Sequence, residues 1–434
     1  MNIYRSEEFD PDEFIRRRLA VLPDVSDIIE GIKRGGDGAV KQYCMLYDGC
    51  APLKFRASET DLKNARSYLP DDVAVHLDRA ASHLRIFSEK QYGFYKDFNC
   101  EIEPGVTAGQ RVAPLDAVGV YVPGGRFPLL SSLIMAIIPA QTAGVRRIAV
   151  CSPPTREGLP HRFILAAAAR LGIREVYAVG GAQAVAAMAF GTESIPRVDK
   201  IVGPGNRFVA AAKKAVYGDV GVDFIAGPTE VLIIADDSAR PRFVAMDLIA
   251  QAEHDPDAAS ILISDSREII EGVSREVIRL VDEESFLEAA RPSLKKNGTA
   301  VLVSSLDEAV AISDRIAPEH CIIHAEHPEL TASKAKNYGS LFIGPWASEV
   351  LGDYCSGINH ILPTNGAARY TGGIHVGSFL KTRTVLSVTE EGIGRIGPTA
   401  EALANLEGLR GHRNAVRVRL SDIASRSAFV REKG

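Results

Sequence analysis

Apolar positions from about residue 117 onward form short continuous runs, separated by segments whose apolar residues recur every three or four positions. The short runs predict buried strands over 117–122, 147–151, 175–179, 200–202 and 231–235. Segments of helical period lie between them over 131–143, 160–171, 182–190 and 207–216. The alternation starts again after residue 236, with strands over 260–264, 300–303, 321–323 and 340–343. Such alternation indicates parallel sheets covered by helices on both faces.

These patterns predict an α/β fold with two Rossmann-like lobes, a helical N-terminal region and a helical C-terminal tail. Helical segments over 61–68 and 74–87 precede the first lobe and carry no chemical motif. The changes of pattern predict the following regions: an N-terminal arm over 1–25, a helical region over 26–112 that packs with the second lobe, a first lobe over 113–236, a second lobe over 237–380 and a tail over 381–434.

The composition is that of a globular chain of several domains: 434 residues, 46% hydrophobic and 24% charged. A net charge of −5 argues against a nucleic-acid partner, because phosphate binding needs a clustered basic surface. No run approaches the roughly 18 apolar residues of a membrane span, and the acidic start lacks the apolar core of a signal peptide. Six cysteines without a CxxC pair favour reduced thiols. We therefore expect a soluble, cytoplasmic protein.

Three glycine-rich loops, over 121–126, 179–183 and 201–206, each follow a predicted strand of the first lobe and precede a helix. Glycine lets the backbone approach a ligand closely, and the N-terminus of a helix favours phosphate. None of the loops reads GxGxxG, and no acid stands at the end of a strand at the usual distance, so the common dinucleotide fingerprint is absent. Three such loops in succession still favour a nucleotide or dinucleotide.

The second lobe supplies groups that could bind a metal or transfer protons. Gln251 and His254 lie three residues apart at the predicted end of a helix that Pro256 terminates. Glu319 and His320 pair a carboxylate with an imidazole before a buried strand. Taken singly, Gln251 and His254 could belong to an ordinary exposed helix end, and Glu319 and His320 could be neighbours by chance. The N- and O-type zinc ligands that the sequence offers are Gln251, His254, Asp353 and His412.

The motifs YVPGG, VGGAQAVAAMAFGTES, DKIVGPGN, AGPTEVLIIAD, DLIAQAEHDP, APEH, GDYCSGINHILPT and EGLRGH occur in this order along the chain. In sequence and order they resemble those of the histidinol dehydrogenase family, from about residue 20 to 420. The resemblance implies an NAD-dependent zinc enzyme that oxidises L-histidinol through the aldehyde to L-histidine. It also implies a homodimer, with one zinc ion per subunit and a tail that completes the partner's site.

Matching positions assign a role to each candidate residue. Glu319 and His320 would be the catalytic pair, with His320 taking the hydroxyl proton and Glu319 activating water for the second oxidation. Zinc would be bound by Gln251, His254, Asp353 and, from the second subunit, His412. Further substrate contacts would come from Thr229, His360 and Glu407, and cofactor contacts from Tyr121, Gln183 and Asn206.

Two segments depart from the commoner pattern of that family. Arg126 begins an Arg-Phe-Pro-Leu-Leu run after the first glycine-rich loop, and residues 368–375 resemble paralogues that oxidise 2,3-dihydroxypropane-1-sulfonate to sulfolactate. That hydroxy-sulfonate is therefore an alternative substrate to the amino alcohol. A zinc hydrolase would not need the three glycine-rich loops, and a regulatory homologue that had lost catalysis would tend to lack one of the ligands or the Glu–His pair.

Overall fold

The computed structural model describes residues 1–18, 21–124 and 128–432. The strands, in chain order, are β1 (Asn2–Arg5), β2 (Phe98–Glu103), β3 (Val106–Pro114), β4 (Ala117–Tyr121), β5 (Arg147–Ser152), β6 (Glu175–Ala178), β7 (Lys200–Val202), β8 (Gly221–Val222), β9 (Glu230–Ala235), β10 (Ala259–Ser264), β11 (Thr299–Leu302), β12 (His320–His324), β13 (Ser340–Ile343) and β14 (Leu380–Val388). The helices are α1 (Pro11–Arg18), α2 (Ser26–Tyr43), α3 (Glu59–Ala65), α4 (Asp71–Tyr92), α5 (Leu130–Thr142), α6 (Arg162–Arg170), α7 (Gly181–Phe190), α8 (Arg207–Val216), α9 (Pro241–Ala252), α10 (Arg267–Glu283), α11 (Arg291–Asn297), α12 (Leu306–Ile316), α13 (Pro328–Ala332), α14 (Glu349–Tyr354), α15 (Glu390–Leu406) and α16 (Arg410–Glu432).

The first lobe contains a five-stranded parallel sheet in the order β6-β5-β4-β7-β8. Every residue of the central strand β4 is buried, as expected for a strand with helices on both faces. Four of its strands match the runs predicted at 117–122, 147–151, 175–179 and 200–202. The prediction of a parallel α/β lobe is confirmed.

The second lobe contains a six-stranded parallel sheet in the order β1-β11-β10-β9-β12-β13. Its fully buried strand β9 pairs with β10 on one side and β12 on the other. The predicted first lobe, which ends at residue 236, includes this strand, and that boundary is wrong. Sequence alternation shows where strands are, but not which strands are neighbours.

The N-terminal residues belong to both lobes. Strand β1 pairs with β11 at the edge of the second sheet, so residues 1–25 are more than an arm. Helix α2 packs on α7 of the first lobe, where Ile28, Ile29 and Ile32 join the core that contains Met188. The prediction that the region 26–112 packs with the second lobe is therefore wrong for this helix, whose apolar face is buried against the first lobe.

Two compact units make up the chain, one formed by residues 1–92 and 115–379, the other by residues 93–114 and 380–434. In the second unit, β14 and β2 flank β3 in an antiparallel sheet, and α15 packs on α16. The region 26–112 is thus not all helical, and the tail begins with a strand. All six residues of β2 are exposed, so this strand lacks the apolar pattern that marks the others.

Among the described residues, no helix combines the length and the apolar composition needed to cross a membrane.

Candidate active site

Helix α9 brings the first candidate ligands to the site. It begins with Pro241 in its first turn and ends at Ala252, so His254 lies in the turn that follows and not in the helix as predicted. Gln251 is buried, and its Nε2 donates a hydrogen bond to Oγ1 of Thr229. That bond turns the amide oxygen of Gln251 away from Thr229 and leaves it for another partner.

Thr229 connects Gln251 to the catalytic carboxylate. Its hydroxyl donates to Oε2 of Glu319 over 2.5 Å, and the backbone N–H of Glu230 donates to the same oxygen over 3.0 Å. Burial raises the pKa of Glu319, and these hydrogen bonds oppose the increase without cancelling it. The carboxyl group is therefore fixed in position and is a stronger base than an ordinary glutamate when ionised.

His320 begins strand β12 beside Glu319 and is buried. Its Nδ1 donates to the carbonyl oxygen of Glu230 over 3.1 Å, which fixes the ring. Its Nε2 lies 3.7 Å from Oδ1 of Asp353 and has no hydrogen-bond partner among the described residues. Burial alone would lower the pKa of His320, but the carboxylates of Glu319, Asp353 and Glu349 outweigh it and raise the pKa to about 10.

Asp353 lies on the short helix α14 and orients a second imidazole. Its carbonyl oxygen accepts a hydrogen bond of 2.8 Å from Nδ1 of His360, whose Nε2 lies 3.1 Å from Oγ of Ser132. Burial lowers the pKa of His360, which favours its neutral form. Burial would raise the pKa of Asp353, but its interaction with the nearby imidazole of His320 outweighs this effect, and the imidazoles of His360 and His254 lower the pKa further.

A cavity of about 1550 Å³ connects part of the second lobe to the glycine-rich loops of the first lobe. Thr229 and His254 line one part of it, and Tyr121, Gln183 and Asn206 line another. Glu319 is linked to the lining by the hydrogen bond that it accepts from Thr229. The structure therefore brings the predicted cofactor loops to the same cavity as the hydroxyl that bonds to the predicted catalytic carboxylate.

The three predicted cofactor residues also hold the loops in shape. The hydroxyl of Tyr121 accepts a hydrogen bond of 3.1 Å from the N–H of Gly181, whose φ of +62° favours glycine. Gln183 is buried and donates to Asp48. Asn206 caps α8 by accepting hydrogen bonds from the first turn of the helix. Arg126 lies outside the described residues.

Glu407 and His412 belong to the second unit, where Glu407 caps the end of α15 and His412 lies on an exposed face of α16. Among the described residues, no three His, Cys, Asp or Glu side chains form a group that could hold a metal ion. Within the first unit, Gln251, His254 and Asp353 offer an amide oxygen, an imidazole and a carboxylate, and this donor chemistry fits zinc. The roles of all five residues remain predictions.

Sequence reasoning missed two buried groups at the site. Ser132 lies inside α5, which begins at Leu130, and its hydroxyl contacts His360. Glu349 is buried, one of its oxygens has no described partner, and burial raises its pKa well above the ordinary value. The sequence signal for Glu349 was its position four residues before Asp353, which places both carboxylates on the same face of one helix.

A buried Glu–His pair beside one part of a cavity, with glycine-rich strand-to-helix turns at another, defines an α/β oxidoreductase that uses a dinucleotide. The histidinol dehydrogenase family model matches residues 16–420, and the chain belongs to this family.

Similar proteins agree over nearly the whole length. The histidinol dehydrogenase of Methanothermobacter thermautotrophicus is 46% identical over 406 residues, covering 93% of this chain and 94% of the relative. That of Bacillus cereus is 42% identical over 403 residues, covering 93% of each. The crystal structure of the histidinol dehydrogenase from Elizabethkingia anophelis has a TM-score of 0.92 at 36% identity, covering 98% of this chain and 99% of that one.

Proposed function

We propose that this protein oxidises L-histidinol through L-histidinaldehyde to L-histidine, with two hydride transfers to NAD. The observation that carries the proposal is the linked set of Gln251, Thr229, Glu319 and His320 beside a cavity that reaches the glycine-rich loops. The names of the similar proteins support the amino alcohol as substrate. They give no support to the hydroxy-sulfonate, which is not favoured.

The two catalytic residues divide the proton transfers between them. In the first oxidation, His320 in its neutral form would take the proton of the substrate hydroxyl at Nε2, and a dinucleotide held by the glycine-rich loops would supply the nicotinamide that accepts the hydride. In the second, Glu319 takes a proton from the water that adds to the aldehyde carbon. The bond from Thr229 holds Oε2 of Glu319, so the other oxygen of the carboxylate is the one that we assign to the water.

We infer that zinc is bound by Gln251, His254 and Asp353 of one subunit and by His412 of a second copy of the chain. Bound there, zinc would hold the substrate's imidazole and amine and offset the charge of Asp353 that raises the pKa of His320. The amide oxygen of Gln251 is supported as a ligand by the bond from its Nε2 to Thr229. The site would then be complete only in a homodimer, which we place in the cytoplasm.

The reaction is tested by following NADH absorbance at 340 nm with the zinc-loaded protein and NAD. L-Histidinol and 2,3-dihydroxypropane-1-sulfonate are compared as substrates. We expect two NADH per L-histidinol and none from the sulfonate. Turnover of the sulfonate alone would overturn the substrate, and no NADH from either would overturn the reaction.

The closing ligand is tested by His412→Asn. We expect the zinc affinity to fall by more than roughly 100-fold, because losing even a residue that only supports a ligand costs about 10- to 100-fold. The melting temperature should not change. Zinc content after dialysis measures the loss, and His327→Asn, which changes another exposed histidine, is the matched control. A His412→Asn protein that keeps stoichiometric zinc would show that this ligand is wrongly assigned.

A further inference from the structure

Asp48 is an acidic residue at the cofactor part of the cavity that the sequence patterns did not reveal. It ends the π-helical turn Cys44–Asp48 that follows α2, far along the chain from the glycine-rich loops. It nevertheless lines the same cavity as Tyr121 and Gln183. The fingerprint acid of common dinucleotide sites follows a strand of the nucleotide-binding sheet, and this chain lacks one there.

The carboxylate of Asp48 is built into the second glycine-rich loop. Its Oδ2 accepts a hydrogen bond of 3.1 Å from Nε2 of Gln183, and the backbone N–H of Gly180 and the thiol of Cys44 also donate to it. A Cβ on Gly180 would lie 3.1 Å from Oδ1 of Asp48, which is tighter than most real contacts. The aspartate and the loop therefore fit against each other closely.

The first glycine-rich loop is also within reach of this charge, because Asp48 contributes to raising the pKa of Tyr121, whose largest cause is burial. Tyr121 in turn accepts the hydrogen bond from Gly181. Asp48 thus lies near Tyr121 of the first glycine-rich loop and Gln183 of the second. Both loops turn from strand to helix, the position at which α/β proteins bind dinucleotides.

The carboxyl group of Asp48 has no cationic partner within the described part of the chain, and burial raises its pKa against the effect of its hydrogen bonds. Its donors are an amide, a backbone N–H and a thiol, and none of them is charged. The described lining of the cavity contains one arginine, Arg79 on α4, and no lysine. An uncompensated carboxylate accepts hydrogen bonds from ribose hydroxyls and repels a phosphate group placed there.

We propose that Asp48 takes the part of the missing strand-end acid and makes the cavity selective for NAD over NADP. The carboxylate accepts from the adenosine ribose and disfavours the extra 2′-phosphate. The proposal rests on the proposed use of a dinucleotide, and it adds a specificity-determining residue that comes from a helix outside the nucleotide-binding sheet.

The test is the binding of NADH and NADPH to the zinc-loaded protein, followed by nicotinamide fluorescence without any turnover. We expect the natural protein to prefer NADH. Asp48→Asn should shift the ratio of the two dissociation constants by about tenfold or more toward NADPH, since juxtaposed like charges are strongly unfavourable. Asp48→Glu keeps the charge and should keep the preference.

Two further variants keep the test decisive. Asp48→Asn could place an amide NH2 group against the N–H of Gly180 and fail to fold. Asp48→Ser removes the charge without that amide group, and we expect it to shift the ratio of the two dissociation constants in the same direction. Asp37→Asn removes an aspartate of α2 that accepts from Ser194, outside this cavity, and should leave the ratio unchanged. The proposal is overturned if a neutral variant still binds NADH and its ratio of NADPH to NADH dissociation constants stays within twofold of the natural protein's. If the natural protein binds neither nucleotide, the proposed cofactor is wrong instead.

Discussion

The buried groups behind the glycine-rich loops and those at the candidate catalytic site are paired differently. In the first lobe, Lys213 and Asp223 form a buried pair of 2.7 Å, and both also bond to the backbone of Gly203. In the second lobe, Nε2 of His320 and Oε2 of Glu349 have no hydrogen-bond partner within the described chain. The contrast belongs to these two places and not to the whole lobes, because Nε of Arg147 and Oγ of Ser152 in the first lobe also lack a hydrogen-bond partner among the described residues. Buried polar groups in proteins are normally satisfied, so unpaired groups beside a catalytic pair are candidates for contact with a ligand.

The difference shows how one fold holds two kinds of binding site. A cofactor site made of backbone needs loops of fixed shape, and the side chains of the first lobe provide that shape. Gly203 has a φ of +116°, and a Cβ there would lie 2.1 Å from the carbonyl oxygen of Tyr121. A catalytic site needs side chains whose bonding capacity is not yet used, and the second lobe supplies them on β12 and α14.

The largest effect that separates the lobes should come from Glu319→Gln. If Glu319 activates water, oxidation of the aldehyde should fall by about 10²- to 10⁴-fold, the usual contribution of a general base. Reduction of the aldehyde, which needs no water, should fall far less, and the melting temperature should hardly change because amide and carboxyl have the same shape. Stopped-flow absorbance at 340 nm measures both directions, with the exposed Glu326→Gln as control. Equal losses in both directions would refute the division of roles.

Lys213→Met should have the next largest effect, and on stability more than chemistry. It leaves Asp223 buried without its cation, which costs about 3–5 kcal/mol of the free energy of unfolding. Urea denaturation measures the loss. Adding Asp223→Asn removes the stranded charge and should restore part of the stability. If Lys213→Met is as stable as the natural protein, the Lys213–Asp223 pair does not stabilise the loop at Gly203.

Glu230 gives a smaller effect that depends on pH. It is buried between Arg18 and the backbone N–H of Asn365, and burial raises its pKa from 4.5 to about 7. Since the folded state holds the proton more tightly, this contribution to stability is complete below pH 4.5 and is lost as the pH rises through 7. The loss is on the order of 3 kcal/mol.

Glu230→Gln cannot titrate, so its free energy of unfolding should vary less than that of the natural protein between pH 5 and pH 8. Urea unfolding at several pH values measures both curves. Parallel curves would mean that the proton on Glu230 does not contribute.

The fold could be predicted where apolar pattern and burial coincide. The central strands β4, β9 and β10 consist entirely of buried residues, and their runs were found in the sequence. The strands that escaped are β1, β2, β3, β8 and β14, which are short or lack a continuous run of buried residues. Of these, β1 and β14 pair with residues distant in the sequence, which no local pattern shows. For the same reason β9 was assigned to the wrong lobe.

Candidate site residues could be identified where they are close together in the sequence. Glu319 and His320 are neighbours in the sequence, and the structure buries both of them next to the half-buried Thr229 and Asp353. Asp48 and Ser132 were not found as site residues, because each reaches its partner only through the packing of helices. Their residue types are common at helix ends, so the sequence alone gave no reason to select them.

The pairing of β1 with β11 has a consequence for the order in which the chain can fold. Asn2 pairs with Thr299, so the edge of the second sheet joins residues nearly 300 positions apart, whereas the strands of the first sheet lie between Ala117 and Val222. During synthesis the first sheet is fully available while the N-terminal strand still lacks its partner. Contacts of such long sequence separation form slowly, and an unpaired strand edge is prone to aggregate. Strand β1 therefore has an open edge until β11 has been made, and during that time it is a point at which intermolecular strand pairing can occur.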